Sequence, residues 1–586
     1  MAPTTVEDRK RNIWSKLITI LQVPQEQFVS VEGHQWSNHD LDPTPPEERK
    51  WTAWVFASFW AAHAANAVRH SFGRCELQYS LQIQSAWTAG SATVALGLTW
   101  WEAWTALNVS HVIGTFLVVA NGRVASRYHI GFPVVARAAW GMWGSYMAVI
   151  MRAVVCVIWN GVNTFYAGRL VDVCLQCIWP SWVDVTNTLP ESAGITTRQL
   201  ASFLIAWFVF QCLTLFHPRD LKWFYIIKSV IVFVAMHGIL GWWIHKNGGV
   251  NFPSQSTIHL PSSVRGWLWM QAFNSGFGTI SSLTVNQADI ARYSRRPNDQ
   301  LWGQVFMFPV ASAIPGLYGI LVASASRELY GKPLWNLWDV TQTMLDQYPN
   351  NSGARFGVFL AAGSMALALI AVNLSTNCLP FGSDLAALFP KYMTIKRGQF
   401  ICCLAGLAIV PWKILKDGKT FLAFLSGYGY WLAPGASILF IDYFFIQKGN
   451  IVTKELYNGT PGALYWYNRG WNIRAPIITV LALIPCMPGF AYSIAPSVRI
   501  SDDAKHMSHL SFLLTYVIAC MLYYGSYKIW PIISPLKEIL EGRRFEAFAD
   551  ELDISEREHS LGRQLGREET KSTTEIFDKS ESYIVP

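Results

Sequence analysis

The sequence predicts an all-α polytopic membrane protein of about twelve transmembrane helices, and three observations predict it. Of 586 residues, 52% are hydrophobic and only 14% charged, whereas soluble domains carry about 25% charged residues. The apolar residues come in runs of about 20, the length that crosses a bilayer. The 28 tryptophans suit membrane interfaces, where an indole buries its ring and keeps its N–H near water. This composition excludes a soluble multidomain enzyme. It makes the lipid bilayer a partner, and no nucleic acid partner is expected.

Residues 1 to 50 are polar and contain prolines, and read as an N-terminal tail. They show no apolar stretch leading to a small-residue cleavage site, so no cleavable signal peptide is expected. The first membrane helix is expected to serve as the signal. Spans follow near 51 to 66, 99 to 121, 142 to 170, 200 to 216, 223 to 244, 265 to 288, 302 to 324, 355 to 377, 399 to 414, 420 to 446, 474 to 496 and 509 to 530, and make up a transporter core over 51 to 530. Loops after even-numbered spans carry compact basic clusters: Arg123 with Arg127, Arg219 with Lys222, Arg292 with Arg295 and Arg296, Lys396 with Arg397, and Lys448 with Lys454. Loops after odd spans, such as 184 to 198 and 327 to 355, mix signs. The positive-inside bias therefore puts both termini in the cytoplasm. Residues 536 to 586 hold eight Lys or Arg against thirteen Asp or Glu, so 531 to 586 reads as an acidic, solvated, partly disordered cytoplasmic tail.

Span one is interrupted. Residues 68 to 84, Val-Arg-His-Ser-Phe-Gly-Arg-Cys-Glu-Leu-Gln-Tyr-Ser-Leu-Gln-Ile-Gln, place Arg69, His70, Arg74 and Glu76 at membrane depth without evident partners. A central Arg there costs about 2.5 to 3.5 kcal/mol even on the lenient insertion scale. Val-Arg can be encoded by the splice-donor sequence GTAAGA and the final Gln by the acceptor CAG. The stretch reads as a translated intron, or else as an insertion looping into the outer vestibule.

No phosphate-binding Gly-rich loop ending in Lys-Ser or Lys-Thr and no His-Glu-x-x-His zinc helix is present in the sequence, which argues against ATP-driven transport and metalloenzyme chemistry. Ten cysteines sit mostly in apolar runs, where cysteine is a small hydrophobe. Cys174-x-x-Cys177 lacks a second pair or a His, so no metal site is expected. Polar and helix-breaking residues inside spans carry more information, because they are tolerated only where they face protein or a cavity. Four clusters stand out: Ala64-Ala65-Asn66 running on to 86 to 90 in span one, Trp159-Asn160-Gly161-Val162-Asn163 in span three, 274 to 282 in span six, and Asn373-Leu374-Ser375-Thr376-Asn377 in span eight. Trp159 and Asn163 are four apart on one helix face. An indole beside an amide can hold a heterocycle by stacking on its ring and reading its edge; the alternative is Trp as packing and Asn as interhelical glue. The Gly-Ser-rich stretch around Gly278 and Thr279 predicts an unwound turn in span six. Interrupted spans one and six, five apart, fit a five-plus-five inverted repeat with a midplane site between broken helices.

Leu41-Asp42-Pro43 with Arg49 and Trp51, Tyr128-His129 with Phe132-Pro133 and Arg137, Asn286-Gln287-Ala288-Asp289 with Arg292-Tyr293, and Asp384 to Pro390 with Lys396-Arg397-Gly398 together resemble the nucleobase-cation symporter family. The likeness runs from about residue 38 to 530, towards its fungal branch of uracil, allantoin and uridine permeases. The resemblance implies alternating access around a central site, with Trp159 stacking on the substrate ring and Asn163 bonding to it one turn later. The family has Gln at that second place; Asn is one methylene shorter and looks like the thiamine and nicotinamide riboside carriers. It further implies that Asn377 bonds substrate, that Asn66 makes a polar span-one contact and that Tyr428 lies in a gating stretch of span ten. In sodium-coupled relatives a Ser-Thr pair in span eight holds the ion. Ala371 and Val372 stand there, without the oxygens a hard cation needs, so the proton is the expected coupling ion and no other cofactor is expected. The expectation is a plasma-membrane permease importing a small nitrogen heterocycle. A non-transporting sensor of the same fold is the rival of a different class, and lone His63 is the only acid-base group an enzyme could use.

Overall fold

The computed structural model describes residues 22–23, 35–61, 83–216, 222–250, 260–415, 418–494, 497–531 and 536–555. Asn66, His63 and almost all of the 68 to 84 stretch lie outside the described residues. Among the described residues the chain is helical, and β-pairing is confined to two isolated bridges, Trp51 with Ser294 and Asn468 with Trp471. Eight helices are long and apolar enough to cross a membrane. Helix also occupies the other four expected spans, but Ile395–Leu407 is short and Ser262–Ala291 is rich in Ser and Gly. The count of twelve therefore rests on the sequence.

Local chemistry sets the helix ends. Span two, Trp100–Tyr128, opens with a Thr99–Glu102 capping box and closes on His129 in the left-handed conformation. Span four, Thr197–Leu213, opens with a Thr196–Gln199 box. In both, reciprocal side-chain bonds satisfy amides that the first turn leaves unpaired. At the start of span eight, Asn351 accepts from the Ala354 amide.

Span one consists of two described pieces, Ala53–Ala61 and Ile83–Ala95, both lying along span seven, Asp299–Tyr330. Gly303 meets Ala53 and Ala57, and Gly319 meets Trp87, so closely that a Cβ on either glycine would fall 2.3 to 2.8 Å from backbone atoms of span one. These two levels are about 24 Å apart along the span-seven helix.

Span six corrects an expectation, because Ser262–Ala291 is a continuous α-helix with no unwound turn. The small residues there let helices approach closely. A Cβ on Gly276 would lie 1.8 Å from Ser110 Oγ of span two, and one on Gly278 2.6 Å from Leu425 O of span ten. The hydroxyls of Ser275, Ser281 and Thr284 bond back to carbonyls of their own helix, which satisfies them without breaking it. The irregular turn is in span eight instead, where Leu374–Cys378 is a π-helical turn ahead of Pro380. Such a bulge re-aims side chains within an otherwise continuous helix.

Both tails include segments that fold onto the body. Arg292 donates to Thr44 Oγ1 at 2.6 Å and to Asp40 O and Asp42 O, while Arg137 donates to Trp36 O at 2.9 Å. At the other end of the chain, Glu546 accepts from Arg123 at 2.7 Å and from Tyr443. Arg127 pairs with Glu546, Asp550 and Asp553. Residues 536 to 555 are thus not a free tail. Their carboxylates find the basic cluster at the end of span two, which offsets the entropy of ordering them.

Candidate functional site

Spans one, three, six, eight and ten line a cavity of about 460 Å³ of atom-free space, its open side included. Its wall is Ser85, Trp159, Asn163, Thr279, Ser282, Leu283, Val372, Thr376, Asn377 and Tyr428. Among the described residues no charged side chain contributes, and the lining combines aromatic faces, amides, hydroxyls and the aliphatic Leu283 and Val372. Such a lining suits a flat, neutral ligand with hydrogen-bonding edges.

Each polar group has a mechanical reason for its place. Trp159 is held edge-on by Tyr428, with ring centroids 5.4 Å apart at 81°, and flanked by Phe424 at 5.5 Å. Asn163 shares its helix face, and no protein hydrogen bond to its amide is found among the described residues, leaving both edges for a ligand. Asn377 donates to Asn373 Oδ1 at 2.7 Å. Asn373 in turn donates to Asn160 O at 2.9 Å and Thr164 Oγ1 at 3.0 Å. Of the other amides in the sequence clusters, Asn160 donates to Cys378 Sγ at 3.0 Å and Asn274 to Ser511 Oγ at 3.1 Å, so with Asn373 they are interhelical glue, and Asn160 and Asn373 hold the π-turn that carries Asn377. Thr376 and Ser375 bond back to Val372 O at 2.8 and 3.0 Å.

Of the residues singled out in the sequence, the structure brings together Trp159, Asn163, Thr279, Asn377 and Tyr428. Gly278 is not in the cavity wall, because it serves the contact with Leu425. Ser85, Ser282, Thr376 and Phe424 belong at or beside the cavity and were not singled out individually.

The sequence reading also missed Arg152, seven residues before Trp159. It is 1% exposed and pairs with Asp289 of span six at 2.5 Å and with Asp384 after the π-turn. Its guanidinium lies 4.1 Å from the Phe132 ring centroid. An arginine in mid-run of an apolar span was the available signal. Asp289 also accepts from the Phe132 amide at 3.0 Å. The family-like motifs at 128 to 137, 286 to 293 and 384 to 390 thus converge on one ion cluster beneath the cavity, on the basic side of the protein.

A helical membrane body with a neutral, aromatic-and-amide cavity between its spans defines a multi-pass membrane permease. The comparisons with known proteins agree. Residues 43–515 match the family described as permease for cytosine/purines, uracil, thiamine, allantoin, and the chain belongs to that family. It is 30% identical to the uracil permease of Saccharomyces cerevisiae over 538 residues, 90% of this chain and 82% of that protein. It is 27% identical to the allantoin permease of the same yeast, covering 98% of this chain and 89% of the relative. These relatives are transporters, not enzymes. Among solved structures, it matches Mhp1, a nucleobase-cation-symport-1 family transporter in a closed conformation with bromovinylhydantoin bound, with TM-score 0.58, 20% identity and coverage of 86% of this chain and 99% of that one. At that identity the likeness speaks for the fold alone.

Proposed function

We propose that this permease imports a neutral nitrogen heterocycle of the uracil, allantoin or uridine class across the plasma membrane by proton symport, with both termini cytoplasmic. Trp159 stacks on the ring, and Asn163 and Asn377 bond its amide-like edges. Asn66 adds a polar contact from span one, and Tyr428 closes over Trp159 as a gate. Alternating access moves twelve spans arranged as a five-plus-five inverted repeat. The observation that carries the reading is the uncharged cavity, where one indole face and two amides converge: a charged substrate would leave its charge unanswered there. Proton rather than sodium coupling is supported by Ala371 and Val372, which offer no side-chain oxygen for a hard cation.

Asn163 favours a second reading, a thiamine or nicotinamide riboside carrier, because the shorter amide leaves room for a larger ligand; the uncharged wall counts against it, since both ligands are cations. Competition of labelled uracil uptake by unlabelled uracil, allantoin, uridine and thiamine decides between them. A protonophore and sodium replacement in the same assay test the coupling. Uptake that rises with external sodium at fixed pH and ignores the protonophore would refute proton symport. A binding assay beside net flux separates a transporter from a sensor.

A further inference from the structure

One ionisable side chain inside the membrane body stands outside the cavity wall yet is bonded to a residue in it. His111 sits in the span-two helix, 1% exposed, with the Phe308 ring of span seven 6.3 Å away. Its Nδ1 lies 2.6 Å from Leu107 O, one turn back. A carbonyl oxygen only accepts, so Nδ1 carries hydrogen in either protonation state. Its Nε2 lies 3.0 Å from Thr279 Oγ1, and that oxygen is also 2.7 Å from Gly276 O.

A threonine hydroxyl has one hydrogen. While the imidazole is neutral, Nε2 is a bare acceptor and takes that hydrogen. Once Nε2 is protonated the bond reverses: Nε2–H donates to Oγ1, and the hydroxyl hydrogen turns to Gly276 O or to an acceptor in the cavity. A carbonyl-bearing ligand therefore competes with Nε2 for the Thr279 hydrogen while His111 is neutral, and is freed of that competitor when His111 is charged. Conversely, ligand binding favours the charged ring.

Among the described residues, no carboxylate on the elements packed against it stabilises that charge. Span six has no charged residue between Arg265 and Asp289, span seven none between Asp299 and Arg327, the 83–95 helix none at all, and span ten none between Lys419 and Asp442. The titratable groups those elements present are tyrosines: Tyr428 in the cavity wall, Tyr430 bonded to Met487, and Tyr318, whose hydroxyl is engaged by His237 at 2.8 Å. On its own helix, Glu102 is about 13 Å away along the axis and is taken by Arg265 at 2.6 Å. The nearest charge towards the basic side, Arg123, is held by Glu546. An imidazolium buried without a carboxylate is costly, so the proton stays only while a ligand answers it.

We infer that His111 is the proton-binding residue of the symport, with Thr279 as the relay that ties its charge to ligand binding. Hydronium reaching the cavity gives its proton to Thr279 Oγ1 as the hydroxyl hydrogen passes to Nε2, leaving water. The ligand carbonyl then accepts the Thr279 hydrogen bond; after ligand release the Nε2 proton passes back to Oγ1 as the hydroxyl proton leaves to water.

The assignment rests on the proton-symport reading, and the test separates the two. In cells expressing the chain from its mature transcript, labelled uracil uptake is measured from external pH 4 to 8, with and without protonophore. The parent should accumulate uracil, lose accumulation with protonophore, and show KM rising with pH by up to about tenfold per unit where proton and ligand are linked. His111→Gln should equilibrate uracil without accumulating it, with KM constant within about twofold across the range. Thr279→Val should also flatten the profile, and Thr279→Ser should restore it. His237→Gln, outside the cavity, should keep the parent's profile. His129 lies outside the cavity wall, and burial and then Arg49 push its pKa down to about 3, below the range of the assay. Should His111→Gln fail to reach the surface, the Val and Ser variants at 279 decide. A surface-expressed His111→Gln or Thr279→Val protein that still accumulates with the parent's pH profile overturns the assignment. A parent that ignores the protonophore overturns symport itself.

Discussion

The cavity and the basic side beneath it solve opposite problems with opposite chemistry. Around Trp159 and Asn377 the wall is uncharged and its polar groups are amides and hydroxyls. Some ten residues further along the same helices, Arg152, Asp289 and Asp384 form a buried ion cluster, and Arg123, Arg127, Arg137 and Arg292 pin both chain ends. A ligand that must enter and leave is held by modest contacts, each worth about 1 kcal/mol net. A closed side is held by charges that cannot be separated cheaply in a low dielectric. Specificity and closure can therefore be broken separately.

The largest effect is expected at the interruption that separates the two pieces of span one. The levels at Ala57 and Trp87 are about 24 Å apart along span seven. Without residues 68 to 84, about thirteen residues join them, which suffice for a helix with one extended break. We propose that those seventeen residues are a translated intron. The chain lacking them should reach the surface and transport, and the full chain should do neither. Mature transcripts retaining the 51 nucleotides, together with normal transport by the full chain, would exclude this.

Next comes the ion cluster. Asp384→Ala leaves Arg152 with one carboxylate in a buried site, where removing one partner costs about 3 to 5 kcal/mol. The expected outcome is loss of surface protein or a thermal-shift midpoint lowered by several degrees, with uracil KM in surviving protein changed little. A KM effect without a stability effect would move Asp384 into the ligand site.

Smaller still is Asn163→Gln, which lengthens the amide by one methylene in the cavity. One methylene in a binding pocket is worth about 1 to 3 kcal/mol. The ratio of inhibition by uracil to that by thiamine should change at least about fivefold, read in the competition assay; an unchanged ratio would remove Asn163 from the substrate contacts. The smallest effect is expected from Glu546→Gln. The amide keeps a hydrogen-bonding oxygen for Tyr443 and Arg123, and Arg127 keeps Asp550 and Asp553 as partners. Uptake KM should stay as it is, and easier proteolysis of residues 536 to 555 should be the visible change.

The all-α membrane fold was legible because bilayer thickness imposes run length directly on sequence, and five of the seven site residues expected from the sequence meet at one cavity. What was not legible depended on contacts between spans. The Gly-Ser stretch of span six reads as a helix breaker in isolation, yet Gly276 and Gly278 are needed where spans two and ten press against it. The π-turn at Leu374–Cys378 has no local composition that separates it from an α-helix, because Asn373 and Asn160 hold it from neighbouring turns. The carboxylates of 536 to 555 read as a solvated tail until Arg123 and Arg127 are placed opposite them. Asn66 remains an expectation drawn from the family likeness.

The central claim is that one indole face and a facing amide bind the substrate. Saturable uptake of labelled uracil by Trp159→Ala and Asn377→Ala, each normalised to surface protein, tests it most directly. Losing the stacking face or leaving Asn373 Oδ1 without its 2.7 Å partner should abolish saturable uptake in both while surface expression stays normal, a loss of about 1 to 3 kcal/mol at the site. Parental uptake kinetics in both variants would contradict the account.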